Sequence, residues 1–216
     1  QEIRSITRLG VDIRYNMALG RDITIDSLMA DGFESVYLAV GAHASMELNI
    51  PGEDTEGVIT GVQFLRETAL YERTNVSGHV VIIGGGDVAI DAARSAVRMG
   101  ADKVSILYRR TRAEMPARNE EIEDALEEGI QFDFLMAPVE VMAEDGKVTG
   151  LKCLRMELGQ PDDSGRRRPV PIEGSEFVEP CNVIIPAIGQ RVNPTFLEGS
   201  NGVELTKWNT IIVDPI

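Results

Sequence analysis

Apolar positions change their period several times along this chain, and each change marks an element. Ile3, Ile6 and Leu9 recur at helical spacing and stop at Gly10, a C-cap signal. Residues 11–16 (VDIRYN) then alternate as a short strand does. Residues 24–31 (TIDSLMAD) predict a helix with its N-cap at Thr24 or Asp26, closed by Gly32. The unbroken apolar run SVYLAVG, residues 35–41, predicts a buried strand. Residues 61–73 (GVQFLRETALYER) return to the helical period, with Val62, Phe64, Leu65 and Ala69 inward.

The clearest unit follows. Residues 79–83 predict a strand, 87–99 a helix with Val88, Ala92, Ser95, Ala96 and Met99 near one face, and 103–108 a second strand. Strand, glycine turn, helix and strand make a right-handed parallel crossover. A helix over about 117–128 leads to a third strand in IQFDFLMA. Beyond it the pattern turns β-rich, with Glu144 to Gly146 as a hairpin turn. Residues 159–176 form a polar Gly/Pro stretch, a surface loop or the tip of a second hairpin, and FVEPCNVIIPAIG returns to an apolar strand. The expected class is α/β: a parallel crossover unit followed by a β-meander.

The turn inside the crossover reads Gly84-Gly85-Gly86-Asp87-Val88-Ala89, a G-x-G-x-x-A. Gly84 permits the tight exit from the strand. Gly86 lacks the side chain that would hold a diphosphate off the backbone, and Ala89 is small enough for close helix–strand packing. The diphosphate is then expected over free N–H groups at a helix start, where the macrodipole also favours negative charge. The flanking strands are the context this short motif requires.

The end of the second strand selects the nucleotide. An NAD site expects an acid there to bind the ribose 2′-hydroxyl. This chain has Tyr108-Arg109-Arg110 and no acid before Glu114. Guanidinium groups bind a 2′-phosphate through charge-assisted pairs, so NADP(H) is the expected cofactor. Asp87, beside the diphosphate, is expected to turn its carboxylate onto backbone N–H groups. Arg166, Arg167 and Arg168 are expected at a solvated loop tip, with a phosphate patch as the alternative.

Composition removes other classes. The formal charge of −14 opposes nucleic acid and an anionic membrane surface, and no apolar run approaches the length of a membrane span. Cys153 and Cys181 form neither a CxxC motif nor a zinc or iron–sulfur spacing, so they are expected as buried, reduced thiols of a cytoplasmic protein. The first and last residues suggest a segment excised from a longer polypeptide. His43 is expected as a loop histidine, with a place near a flavin as the alternative, and His79 carries no expected role.

Three stretches together, LAVGAHASMELNIPGED, GGGDVAIDAARSAVRMGADKVSILYRRTRAEMPA and VIIPAIGQRVN, carry a resemblance over nearly the whole chain. It resembles the small (beta) chain of NADPH-dependent glutamate synthase and related FAD/NAD(P) oxidoreductases, including the matching region of dihydropyrimidine dehydrogenase. The resemblance implies an FAD domain interrupted by a Rossmann-like, three-layer NADP-binding domain that carries the β-meander: residues 1–74 as a partial FAD-domain segment, 75–186 as the NADP-binding domain and 187–216 as a partial return segment. It implies Gly85, Gly86, Asp87 and Val88 at the diphosphate, Arg109 and Arg110 at the 2′-phosphate, and Arg112 as a weaker phosphate contact. Ala187, Ile188 and Gly189 would line the nicotinamide side, Ala39, Val40 and Gly41 would approach FAD, and AEMPA would shape the turn into the next helix.

The implied activity is NADPH-dependent flavin reduction: hydride passes from NADPH to FAD and electrons move onward to a larger accepting subunit or domain. No side-chain catalyst is expected. The family's FAD fingerprint and iron–sulfur region do not occur in this sequence, so the segment by itself is expected to bind NADP(H), to hold FAD poorly or not at all, and to be inactive alone. Two other readings share these residues: a non-catalytic nucleotide-binding module, and a ferredoxin- or disulfide-linked electron-transfer flavoprotein.

Overall fold

The computed structural model describes residues 2–71 and 76–214. The expected domain boundary after residue 74 lies outside these residues, as do the last two positions of the helix predicted over 61–73. The chain divides into two compact units, Gln1–Ala44 with Arg191–Ile216, and Ser45–Gln190. Packing thus groups residues 45–71 with the second unit, because Leu48, Ile50 and Val58 join one of its cores and Phe64 the other. The two-residue strands β1 (Ala44–Ser45) and β10 (Gln190–Arg191) stand where the chain passes between units.

The first unit contains α1 (Glu2–Thr7) and α2 (Ile25–Ala30). Thr24 caps α2 in a reciprocal capping box with Ser27, as the sequence leads one to expect, and Gly32 follows at φ +96°. The strands expected over 11–16 and 35–41 do not form. A strand with a continuous apolar run requires sheet neighbours and cover on both faces. Among the described residues this unit supplies no such sheet, and Tyr37 is left almost fully exposed.

In the second unit the parallel sheet is ordered β4-β3-β2-β9, comprising β2 (His79–Ile83), β3 (Lys103–Tyr108), β4 (Gln131–Phe134) and β9 (Val183–Pro186). Strand β2 buries both faces. Val80 and Ile82 pack toward α3 (Gly61–Tyr71), α4 (Asp87–Arg98) and α5 (Asn119–Glu127). Val81 and Ile83 pack toward the meander. In α4 the inward positions Ala89, Ala92, Ala93 and Ala96 are fully buried, and these small side chains allow close approach to the strands. Phe64 fills the gap between α3 and the sheet, while Ala69, expected inward, is exposed.

The meander comprises β5 (Met136–Glu144), β6 (Lys147–Pro161), β7 (Arg167–Pro171) and β8 (Phe177–Pro180), with β6 pairing all three others. Asp145 and Gly146, both at positive φ, make the expected two-residue turn. The strand expected through IQFDFLMA is split at Leu135, whose φ is +58°. There the chain leaves the parallel sheet for the antiparallel one. Leu135 is held by donating to Arg110 O at 3.1 Å and accepting from Met156 N at 2.8 Å. The apolar tail FVEPCNVIIPAIG supplies two strands in different sheets, β8 and β9, with buried Cys181 between them rather than within a strand. The second unit therefore forms three layers, helices on one face of the parallel sheet and the meander on the other. Among the described residues no helix is long and apolar enough to cross a membrane.

Candidate functional site

The strand order reverses between β2 and β9, so their carboxyl ends open a crevice, the usual ligand position in an open α/β sheet. A cleft of about 630 Å³ lies there, within the second unit, in the size range of cofactor sites. Residues Ile83 to Val88 line one part and Pro186 to Gln190 another, with Leu107 to Arg110 between the strand ends and Met136 to Pro138 and Arg166 from the meander.

Three consecutive glycines perform three tasks. Gly84 adopts φ +150°, and a Cβ there would stand 2.3 Å from Ala187 O, so the turn and the neighbouring strand both exclude a side chain. At Gly85 a Cβ would meet the Tyr108 ring at 2.6 Å. That ring is buried and its hydroxyl donates to Glu114 O at 2.8 Å, which shapes the 3-10 turn Arg112–Glu114. Gly86 differs. Its φ of −97° suits any residue, and the nearest atom to an added Cβ is Pro116 Cγ at 3.8 Å. Protein packing does not require a glycine here; the space a side chain would take belongs to the cleft.

Gly86 is also the N-cap of α4 and offers no side-chain cap. The first N–H groups of the helix lack intrahelical partners and carry the positive end of its dipole. Gly86, Asp87 and Val88 all line the cleft, while Ala89 is buried beneath it. This donor set suits a diphosphate. Asp87 accepts from Arg118 N at 3.3 Å, which meets the expectation of a backbone N–H partner, supplied by the approach to α5 and not by α4 itself.

The two arginines after β3 diverge. Arg109 is exposed, lines the cleft and has no hydrogen-bond or ion-pair partner among the described residues. Arg110 is 5% exposed, and its Nη2 donates to Asp162 Oδ2 at 2.7 Å while its Nε donates to Arg167 O at 2.6 Å. The expectation of two equivalent phosphate arms is corrected to this extent: burial commits two of the Arg110 donors to the meander. Asp162 is held below the usual carboxylate range, first by the Ser164 hydroxyl and further by backbone N–H groups and Arg110. Arg112 does not line the cleft and pairs with Glu123.

Ala187, Ile188 and Gly189 line the cleft together, fixed by Ala187 N donating to Ile83 O at 2.7 Å and Met46 N donating to Gly189 O at 3.1 Å. Ala39, Val40 and Gly41 belong to the first unit, where Gly41 turns at φ +67°. Arg166, expected at a solvated tip, is half-buried and lines the cleft. His79 bridges Pro180 O through Nδ1 at 2.7 Å and Ser105 Oγ through Nε2 at 2.8 Å, a structural link between sheets away from the cleft lining. Both cysteines are free and buried, and burial pushes each thiol up to about 12.

The sequence pattern of pyridine nucleotide-disulphide oxidoreductases matches residues 10–215. The chain belongs to this family. Members of the pyridine nucleotide-disulphide oxidoreductase family bind FAD and NADP. The beta subunit of NADP(+)-dependent formate dehydrogenase from Moorella thermoacetica is 48% identical over 100% of this chain and 30% of its own length. The small chain of NADPH glutamate synthase from Escherichia coli is 36% identical, matching 95% of this chain and 46% of its own length. The glutamate synthase resemblance is thereby borne out, and the chain spans less than half of either relative. Among solved structures, Mycobacterium tuberculosis FprA in complex with NADPH shares the fold, with a TM-score of 0.73 at 22% identity over 95% of this chain and 61% of that one.

Proposed function

We propose that this chain carries the NADP(H) site of a flavin-dependent oxidoreductase. In that enzyme reducing equivalents pass from NADPH to FAD and on to an accepting subunit or domain. The observation that carries the reading is one cleft that joins an uncapped helix start, a Gly86 whose missing side chain leaves room for a ligand, and an unpaired Arg109. Names of relatives that specify NADP(+) or NADPH support the choice of nucleotide.

A bound NADPH would supply the hydride that reduces the flavin. The chain's own residues bind and orient. Backbone N–H groups from Gly85 to Val88 receive the diphosphate, and Arg109 pairs with the 2′-phosphate. Ala187, Ile188 and Gly189 form an apolar floor that lets the nicotinamide end approach without a charged side chain. Ala39, Val40 and Gly41 are proposed to contact FAD in the first unit. Arg112, paired with Glu123, is the weakest candidate of the set. The two relatives differ in the substrate their names give, and the accepting partner of this chain is proposed to lie in sequence beyond this one. A cytoplasmic location is proposed with this activity, since free, buried thiols fit a reducing compartment.

The test is titration of the native protein with NADPH and NADH, together with Arg109→Ala. The substitution is expected to weaken NADPH by ~10- to 100-fold, the loss of one charge-assisted contact, and to leave NADH unchanged. Equal affinity of the parent for the two nucleotides, or equal weakening of both, overturns the reading. Nucleotide binding by a native protein that contains no flavin would favour a non-catalytic module instead.

A further inference from the structure

We propose that Arg166, at the tip of the β6–β7 hairpin, is a second guanidinium for the 2′-phosphate, and that Arg110 is the positioning residue that braces it. This rests on the NADP(H) reading above and assigns its specificity to a part of the chain outside the parallel sheet.

Arg166 and Arg109 line the same cleft from parts of the chain far apart in sequence. Three arginines line the cleft: Arg110 pairs with Asp162, whereas Arg109 and Arg166 have no carboxylate within ion-pairing distance among the described residues. The net charge of the sequence is −14, so acids are abundant, yet these two cations face a cleft whose lining contains one carboxylate, Asp87. Two unpaired cations in one hollow repel each other until an anion joins them, and a phosphomonoester, with up to two negative charges, is the group that matches both.

The tip is held in register rather than left as a solvated loop. Asp162 N donates to Arg166 O at 2.8 Å and Arg110 Nε donates to Arg167 O, so the backbone is tied on both sides of the Arg166–Arg167 peptide. A side-chain relay joins the two arginines: Arg110 Nη2 and the Ser164 hydroxyl both donate to the Asp162 carboxylate, and Arg166 Nε donates to Ser164 Oγ at 3.0 Å. With Nε occupied, the two terminal nitrogens of Arg166 remain for a ligand. Neighbouring arginines thus divide the work: Arg109 reaches the ligand directly, and Arg110 orients a second arm that the meander delivers.

The probes are 2′,5′-ADP, which carries the 2′-phosphate, and 5′-AMP, which lacks it, measured by calorimetry on the native protein. Arg166→Gln is expected to weaken 2′,5′-ADP by ~10-fold or more and to leave 5′-AMP unchanged, with Arg166→Lys recovering part of the loss. Ser164→Ala, which frees the Arg166 side chain without removing its charge, is expected to weaken 2′,5′-ADP by a smaller factor, again without affecting 5′-AMP. Unchanged 2′,5′-ADP affinity in Arg166→Gln, alongside a loss in Arg109→Gln, overturns the role of Arg166 and leaves the NADP(H) reading standing. A parent protein that binds 2′,5′-ADP no better than 5′-AMP overturns both.

Discussion

Gly86→Ala separates what the fold needs from what the ligand needs. The native φ of −97° and ψ of 178° accept an L-residue without strain, and the new methyl would meet no protein atom closer than 3.8 Å. Two stability terms oppose each other. Replacing glycine reduces the freedom of the unfolded chain and stabilises by about 0.4–1 kcal/mol. Alanine is a poorer N-cap than glycine, a loss of about the same size. The net change is expected within ~1 kcal/mol, a shift of a few degrees in Tm for a protein this large. Binding behaves differently, because the methyl projects into the space over the helix start. Losing one or two charge-assisted N–H contacts to the diphosphate removes about 1.5–3 kcal/mol each, so NADPH affinity is expected to fall at least ~10-fold. Gly84→Ala is the contrast: a Cβ 2.3 Å from a backbone carbonyl at φ +150° forces the strand exit apart, and loss of folding is expected. Thermal unfolding and NADPH titration of both variants provide the assay. A Gly86→Ala protein that folds and binds NADPH like the parent would refute the assignment of that space to the ligand.

Two other outcomes test the supporting structure. Arg110→Ala removes a buried brace on β7 together with the partner of Asp162, and is expected to lower the denaturation midpoint; an unchanged midpoint would show that the pair carries no stability. Cys153 and Cys181 remain protonated and buried, so iodoacetamide is expected to leave both unmodified in the native protein from neutral pH to about pH 10 and to label both after denaturation. Because burial raises each native value above the ordinary 9.0, their contribution to stability is intact below pH 9 and declines as pH rises toward about 12. Rapid labelling of the native protein would contradict the burial.

The elements legible in the sequence were those whose signals are local. Strands at 79–83 and 103–108 are bounded by glycine or charge, and the Asp145-Gly146 turn advertises its own φ values. The division of labour among the three glycines was legible for Gly84 and Gly86, whose tasks follow from the turn itself. At Gly85 it was not, since the constraint comes from the Tyr108 ring on the next strand. The same distinction explains the arginines. Arg109 and Arg110 look alike in sequence, and only the arrival of Asp162, 52 positions later, tells them apart. Arg166 was set among solvated loop residues because composition reports exposure and not the direction in which a hairpin leans. The apolar run at 35–41 shows the limit from the other side: strand propensity without neighbouring strands gives an extended chain and no sheet.

The meander between β4 and β9 has a consequence for the order of assembly. Strands β2, β3 and β4 are joined through short helical connections, whereas β9 reaches β2 only after the whole antiparallel insert; His79 and Asn182, bonded across that junction, are 103 positions apart. Closing so long a loop costs more entropy than the local pairings of β2 with β3 and β3 with β4, so β9 is expected to join last. One wall of the crevice is local in sequence and the other is delivered from far along the chain, and the pairing of β2 with β9 is what turns a glycine turn into a crevice.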